Sequence, residues 1–100
     1  MKYIETKEAI KHRNLIFKSS PKLMQSKLKS LVEDVIKKPR NKETIGNPEE
    51  LKHQNKEIWS RELTKKDRIV YGIEQGAEYD MPEEAEIIVF YQYLGHYDDK

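Results

Sequence analysis

The chain has 100 residues and a mass of 11.9 kDa, which is enough for one domain with a single hydrophobic core. It contains no cysteine, which excludes disulfides and thiolate metal sites, and its N-terminal residues lack the continuous apolar run of a signal peptide or membrane span. We therefore expect a cytoplasmic protein with one domain over residues 1–100. Residues 1–56 carry 14 Lys and Arg against 7 Asp and Glu, whereas residues 57–100 carry 5 against 11. This asymmetry is compatible with a basic surface for a polyanion and equally with a mixed solvated surface.

The first part of the chain predicts a strand and two helices. Residues 2–5 read as a short strand, and Thr6 is a suitable N-cap for a helix that runs to about Lys18. After a break at residues 19–21, apolar side chains at helical spacing predict a second helix that ends near Lys38, just before a proline. Because the connection is short, the two helices should form an antiparallel hairpin.

The second part of the chain predicts a loop and three strands. Residues 39–56 are polar, are interrupted by Pro and Gly, and predict a long ordered loop. Strand-like runs follow at Glu57–Thr64, Arg68–Glu74 and Glu86–Leu94, with a tight turn between the first two. An acidic connection over residues 74–86 joins the last two strands, and we expect it to be mobile or bound to a partner.

The order βααβββ predicts an α+β fold in which a helical hairpin packs on one face of a small antiparallel sheet. The opposite face of the sheet is then free to carry a site. Side chains alternate along a strand, so Ile69, Tyr71 and Ile73 should point to one face. Arg68, two residues before Val70, should point to the face that the helices need not cover.

Residues that can act on RNA are concentrated between Gly46 and Tyr71 and in the His96-Tyr97 pair near the C-terminus. They include a carboxylate, two arginines, a histidine and a tyrosine. RNA cleavage without a metal needs one group that removes a proton, one that donates a proton, and cations that hold the phosphate. The three histidines, His12, His53 and His96, lack the spacing of a local ligand pair, so neither a metal site nor a cofactor is expected.

The same residues resemble the YoeB/Txe branch of the RelE-like toxins of bacterial toxin-antitoxin modules. Five short motifs carry the resemblance, in this order: Gly46-Asn47-Pro48-Glu49, Leu51-Lys52-His53, Trp59-Ser60-Arg61, Arg68-Ile69-Val70-Tyr71 and His96-Tyr97. The N-terminal half is similar to the family only in its pattern of elements. The chain departs from the family at Glu62, where a second arginine is usual, and in its longer acidic connection.

The resemblance implies an mRNA endoribonuclease that acts in the ribosomal A site by metal-independent attack of the ribose 2′-hydroxyl. It also implies a YefM-like antitoxin, the ribosome and mRNA as partners, no membrane, and it leaves a homodimer open. A second hypothesis is a catalytically weak relative that serves as an antitoxin- or RNA-binding module.

Four catalytic roles follow from the resemblance. Glu49 corresponds to the general base, Arg68 to the cation that stabilises the phosphorane, and His96 to the general acid. Tyr97 would orient the scissile segment or stack on a base. Each has a structural alternative: a solvated loop charge for Glu49, a salt-bridge partner for Arg68, a surface residue for His96 and an anchor of the C-terminus for Tyr97.

Two further positions, Lys52 and Arg61, correspond to phosphate contacts that position the message. Trp59, between them in sequence, is expected to pack in the core rather than to contact RNA.

Overall fold

A helical hairpin lies against one face of a five-stranded sheet. The computed structural model describes residues 1–52 and 55–95. The elements in chain order are β1 (Tyr3–Glu5), α1 (Lys7–Ser19), α2 (Lys22–Lys37), β2 (Glu49–Leu51), β3 (Glu57–Glu62), β4 (Arg68–Gln75), a 3-10 turn (Gly76–Tyr79) and β5 (Glu86–Gln92).

Both predicted helices are present. The hydroxyl of Thr6 accepts a hydrogen bond from the backbone N–H of Ala9 at 3.2 Å, which confirms its role as the N-cap of α1. Residues at helical spacing on the inner sides of α1 and α2 are buried: Ala9, Ile16, Leu28, Leu31 and Val35. Within residues 1–52 and 55–95, no helix is long and apolar enough to cross a membrane.

The strands lie in the order β1-β5-β4-β3-β2. Neighbouring pairs are antiparallel except for β1, which pairs with β5 in parallel. The α+β prediction is confirmed, and the sheet is mixed rather than purely antiparallel. No hairpin joins β1 to β5, so nothing in the local sequence sets their relative direction.

The region from 39 to 56, predicted as loop throughout, contains the short edge strand β2. Gly46 and Asn47 both have positive φ, 86° and 47°, and turn the chain alongside β3. The backbone N–H of Glu62 donates to the Gly46 carbonyl at 2.7 Å just before β2 begins. The loop prediction was wrong for residues 49–51 because two glutamates and a leucine carry no strand pattern, and only the free edge of β3 makes them a strand.

The two faces of the sheet bury different residues. Trp59, Ile69, Tyr71 and Phe90 belong to the main core, which also contains the buried residues of both helices. This confirms the predicted inward side of β4. The opposite face, called the open face below, carries a smaller cluster of Leu51, Ile58 and Val70, with partly buried Tyr91 against it and no contribution from either helix.

Candidate active site on the open sheet face

The strand register places two of the predicted catalytic residues on the open face. Glu49 lies opposite Ser60 across β2 and β3, and Ser60 lies opposite Val70 across β3 and β4. Residues opposite each other in an antiparallel pair project to the same face, as do residues two apart on one strand. Glu49, Ser60 and Arg68 therefore share the open face, with only β3 between the strands that carry the carboxylate and the guanidinium.

Arg68 is held in place by its neighbours. Its Nε–H donates to the Ser60 hydroxyl at 3.0 Å, and its Nη1 lies 4.0 Å from the Glu62 carboxylate. The side chain keeps 22% of its surface exposed. An ion pair this long and partly exposed contributes little, so the more important contact is the one to Ser60. A guanidinium fixed in this way loses less freedom when it binds a phosphate.

Glu49 is exposed and lines an open cleft of about 530 Å³ at the β2 edge. The other lining residues are Lys42, Pro48, Glu50, Leu51, Lys52 and Lys56. Three ammonium groups and two carboxylates thus surround the cleft. Such a mixture suits a phosphodiester together with a group that must accept a proton.

Two of these lysines were not predicted as site residues. Lys42 lies over the Trp59 ring with Nζ 6.0 Å from the centroid, and Lys56 lies over the Tyr91 ring at 5.9 Å. The polar segment offered no pattern that singles them out among the basic residues of the first half. The predicted Lys52 lies in the same cleft.

Arg61 is not on the open face. Its side chain is 0% exposed, it lies opposite the core residue Ile69, and its guanidinium pairs with Asp34 on α2. It also donates to the Lys38 carbonyl at 2.8 Å and lies over the Tyr71 ring. A side chain with no exposed surface cannot touch RNA, so the predicted phosphate contact was wrong.

Asp34 supplies the negative charge that pairs with the buried guanidinium of Arg61. Partial burial works to raise the pKa of Asp34, but hydrogen bonds from Arg61 and Thr44 and the charges of Arg61 and Lys38 bring it below its ordinary value. The Thr44 hydroxyl donates to the same carboxylate at 2.8 Å. The pair therefore joins α2, β3 and the chain before β2 in one buried contact. Alternation along β3 was the available signal, because it groups Arg61 with Trp59 and not with Ser60.

The other predicted catalytic residues, His96 and Tyr97, lie outside the described residues, and so does His53. The described chain ends at Gly95, whose N–H donates to the Asp67 carboxylate at 2.8 Å and whose carbonyl accepts from the backbone N–H of Arg68 at 2.9 Å. The residue directly before His96 is thus hydrogen-bonded to the strand that carries Arg68. Over residues 1–52 and 55–95, no group of three or more potential ligands is arranged to hold a metal ion.

The acidic connection attaches at the far end of β4. Glu74 is 8% exposed and accepts hydrogen bonds from the hydroxyls of Tyr91 and Tyr79, the latter at 2.6 Å. Burial and the Glu74 carboxylate raise the pKa of Tyr79 to about 12. Glu74 lies six positions after Arg68 along β4, which corresponds to about 20 Å at ~3.3 Å per residue. The connection forms a hydrogen-bonded 3-10 turn of its own, and its mobility or binding to a partner stays a prediction.

The architecture and the polar residues define a small α+β protein with a carboxylate and a fixed arginine on its helix-free sheet face and a lysine-lined cleft at the β2 edge. Residues 6–93 match the model of the YoeB-like toxin of bacterial type II toxin-antitoxin systems. This match covers most of the chain, and the protein belongs to the YoeB-like toxin family.

Solved structures support the same fold. A YoeB/ParE toxin from Agrobacterium tumefaciens superimposes with a TM-score of 0.76 and 23% sequence identity, covering 97% of this chain and 100% of that one. The YoeB dimer from Staphylococcus aureus gives 0.73 and 21%, covering 97% and 98%. The toxin in a heterotetrameric YoeB–YefM complex from Staphylococcus aureus gives 0.69 and 20%, with the same coverage. No curated protein matches the chain significantly in sequence.

Proposed function

We propose that this toxin is a ribosome-dependent mRNA endoribonuclease that cleaves in the A site by metal-independent attack of the 2′-hydroxyl. One observation carries the proposal: Glu49 and Arg68 face the same uncovered side of the sheet, on either side of β3. The cleft beside Glu49 holds Lys42, Lys52 and Lys56, which suit the phosphates of a single strand of RNA. A protein acting on translating ribosomes works in the cytoplasm.

In the proposed reaction, Glu49 removes the proton from the ribose 2′-hydroxyl, and the freed oxygen attacks the adjacent phosphorus. The bond from phosphorus to the 5′-oxygen breaks, and that oxygen takes a proton from His96. Arg68 stabilises the charge that develops on the non-bridging oxygens, and Tyr97 orients the scissile segment. The products are a 2′,3′-cyclic phosphate, or the 3′-phosphate formed from it, and a 5′-hydroxyl end.

A YefM-like antitoxin is the proposed protein partner, because a solved relative from Staphylococcus aureus is a YoeB–YefM complex. Four apolar side chains on the helical hairpin remain exposed and offer a surface for an antitoxin segment that folds as it binds: Ile10, Leu15, Phe17 and Leu23. A homodimer is proposed on the same basis, since another relative is described as a YoeB dimer.

A second candidate function is a catalytically weak binding module. It is favoured by Glu62, whose carboxylate lies 4.0 Å from Arg68 at the position where the resembling toxins usually have an arginine. A negative charge beside the proposed phosphate site opposes RNA binding.

The test is mapping of 5′-ends on a defined mRNA in a reconstituted translation system, with and without ribosomes and in parallel after EDTA treatment of the toxin. We would compare wild type with Glu49→Gln and His96→Ala. Glu78→Gln is the matched control, because it removes the same charge at an exposed position of the 3-10 turn, outside the cleft that Glu49 lines.

Cuts that require ribosomes, resist EDTA and disappear in Glu49→Gln and His96→Ala but persist in Glu78→Gln would support the proposal. Comparable cutting of free RNA would indicate a general ribonuclease. A folded wild type that makes no cuts would favour the binding module.

A further inference from the structure

The ring of Tyr91, on β5, packs on the open face of the sheet. It lies against the cluster of Leu51, Ile58 and Val70 and is only partly buried. Gly72 makes room for it, because a Cβ at that position would lie 3.0 Å from Cε2 of Tyr91, closer than ordinary van der Waals contact. The ring therefore rests on the backbone of β4 and keeps part of its surface open to solvent.

Hydrogen bonds fix the orientation of this ring. The Tyr91 hydroxyl donates to the Glu74 carboxylate, which is 8% exposed and also accepts from the Tyr79 hydroxyl at 2.6 Å. The phenol is thus held at its hydroxyl end by a nearly buried acceptor and along its ring by β4. A side chain that is already immobile loses little conformational freedom when another ring stacks on it.

Lys56 connects the ring of Tyr91 to the cleft that Glu49 lines. Its Nζ lies 5.9 Å from the centroid of the ring and 3.9 Å from Oε1 of Glu74, and its side chain is 48% exposed. The ammonium lies over one face of the ring, so that face is turned towards the cleft, which Lys56 also lines. Because both contacts of Lys56 are long and exposed, they contribute little, and the ammonium can exchange them for a phosphate at small cost.

We propose that Tyr91 is a stacking platform for a nucleobase of single-stranded RNA and that Lys56 binds a phosphate beside it. This site rests on the proposed function above and extends its RNA contacts beyond the reacting groups. Ser60 lies opposite Glu49 on one side and opposite Val70 on the other. Val70 in turn packs against Tyr91. These residues form a row across the open face, and with neighbouring strands ~4.8 Å apart, β5 lies about 14 Å from β2.

The chemistry of the platform suits an unpaired strand of RNA. Every base has a π-face, and stacking of one base on an aromatic side chain changes affinity by about 5- to 100-fold. The polar atoms beside the ring, the Tyr91 hydroxyl and the Glu74 carboxylate, already bond each other. Tyr91 therefore adds affinity for an unstacked base without reading which base it is.

The experiment measures the affinity of the protein for a short single-stranded RNA by fluorescence anisotropy at low salt, in a Glu49→Gln background that prevents cleavage. The RNA is either complete or lacks the base at one position. Tyr91→Leu removes the ring and keeps an apolar side chain, whereas Tyr91→Phe keeps the ring and removes its bond to Glu74. Tyr3→Leu is the matched control, because Tyr3 is 45% exposed and lies against Phe90 of the main core.

Loss of the base at one position should weaken binding by the Glu49→Gln parent about 5- to 100-fold. Adding Tyr91→Leu should weaken binding of the complete RNA by a similar factor, and loss of that base should then cost less than about twofold. Tyr91→Phe should stay within about threefold of the parent and Tyr3→Leu within about twofold. Lys56→Ala should weaken every RNA by the same factor and reduce the salt dependence, since it removes a phosphate contact and no stacking surface.

Equal losses on base removal with and without Tyr91→Leu would overturn the proposed platform. So would a complete RNA that Tyr91→Leu binds as tightly as its parent, or a parent whose binding depends on no base. If Tyr91→Leu does not fold, the ring-proton resonances of Tyr91 in the parent replace it: they should shift with the complete RNA and not with the RNA that lacks the base, and no shift would refute stacking. None of these readouts needs cleavage, so failure of the proposed function shows separately, as a wild type that makes no cuts on ribosomes.

Discussion

Replacing Arg61 with methionine should lower the free energy of unfolding while leaving the proposed RNA-binding face intact. The side chain is 0% exposed, so the change removes no surface charge. Breaking a buried ion pair by removing one partner costs about 3–5 kcal/mol, because the other charge is left uncompensated. The Asp34 side chain keeps 16% of its surface exposed and can be partly rehydrated, which favours the lower end. Loss of the donor to the Lys38 carbonyl adds about 1 kcal/mol. We therefore expect the free energy of unfolding of Arg61→Met to be roughly 3–4 kcal/mol below that of wild type.

The assay is urea unfolding followed by circular dichroism, with a thermal scan in parallel, where this loss should lower Tm by roughly 12–25 °C for a domain of this size. Adding Asp34→Asn to Arg61→Met should recover part of the loss, since no buried charge is then unpaired. Arg68→Met is the comparison: it should change stability by less than about 1 kcal/mol but abolish cleavage. If Arg61→Met kept its free energy of unfolding within about 0.5 kcal/mol of wild type and bound RNA more weakly, Arg61 would reach the surface. Its assignment to a buried ion pair with Asp34 would then be wrong.

Three further outcomes are expected. The pKa of Asp34 in the folded protein is below its ordinary value, so its contribution to stability is present at neutral pH and is lost as pH falls below about 4. Between pH 6 and pH 3, the free energy of unfolding measured in urea should therefore decline less steeply in Asp34→Asn than in wild type. Glu62→Gln, made in a Glu49→Gln background to prevent cleavage, should bind single-stranded RNA about two- to fivefold more tightly at low salt. If fluorescence anisotropy showed no gain in affinity for RNA, Glu62 would not face a phosphate. Gly46→Ala should cost about 2 kcal/mol or more of unfolding free energy, because φ is 86° and the new Cβ would lie 2.6 Å from Cδ2 of Leu31. Gly95→Ala, with φ of 91° and Nε2 of Gln92 at 3.7 Å as the nearest side-chain atom among the described residues, should cost only about 1 kcal/mol; urea unfolding of both variants measures the difference.

The elements with strong local signals were predictable. Thr6 before an apolar helical stripe predicts α1, and alternating apolar residues in β4 predict which side faces the helices. That alternation also places Arg68 on the open face, where the structure has it. Glu49 was identified through the family motif and not from a strand pattern, since the strand that carries it is only three residues long.

Local composition, apolar periodicity and the five matched motifs determined the α+β class, the order of helices and main strands, and the set of candidate catalytic residues. Only the tertiary structure separated Arg61 from Arg68, because the β3–β4 register and the position of α2 decide which arginine meets a buried carboxylate and which faces solvent. Only the tertiary structure shows the pairing of β2 with β3. It alone also shows the contact of His12 with Tyr93 and Leu94, which are 81 and 82 residues away in the chain. Partners so far apart leave no periodic signal in the sequence, since they are brought together by the packing of whole elements and not by the conformational preferences of neighbouring residues.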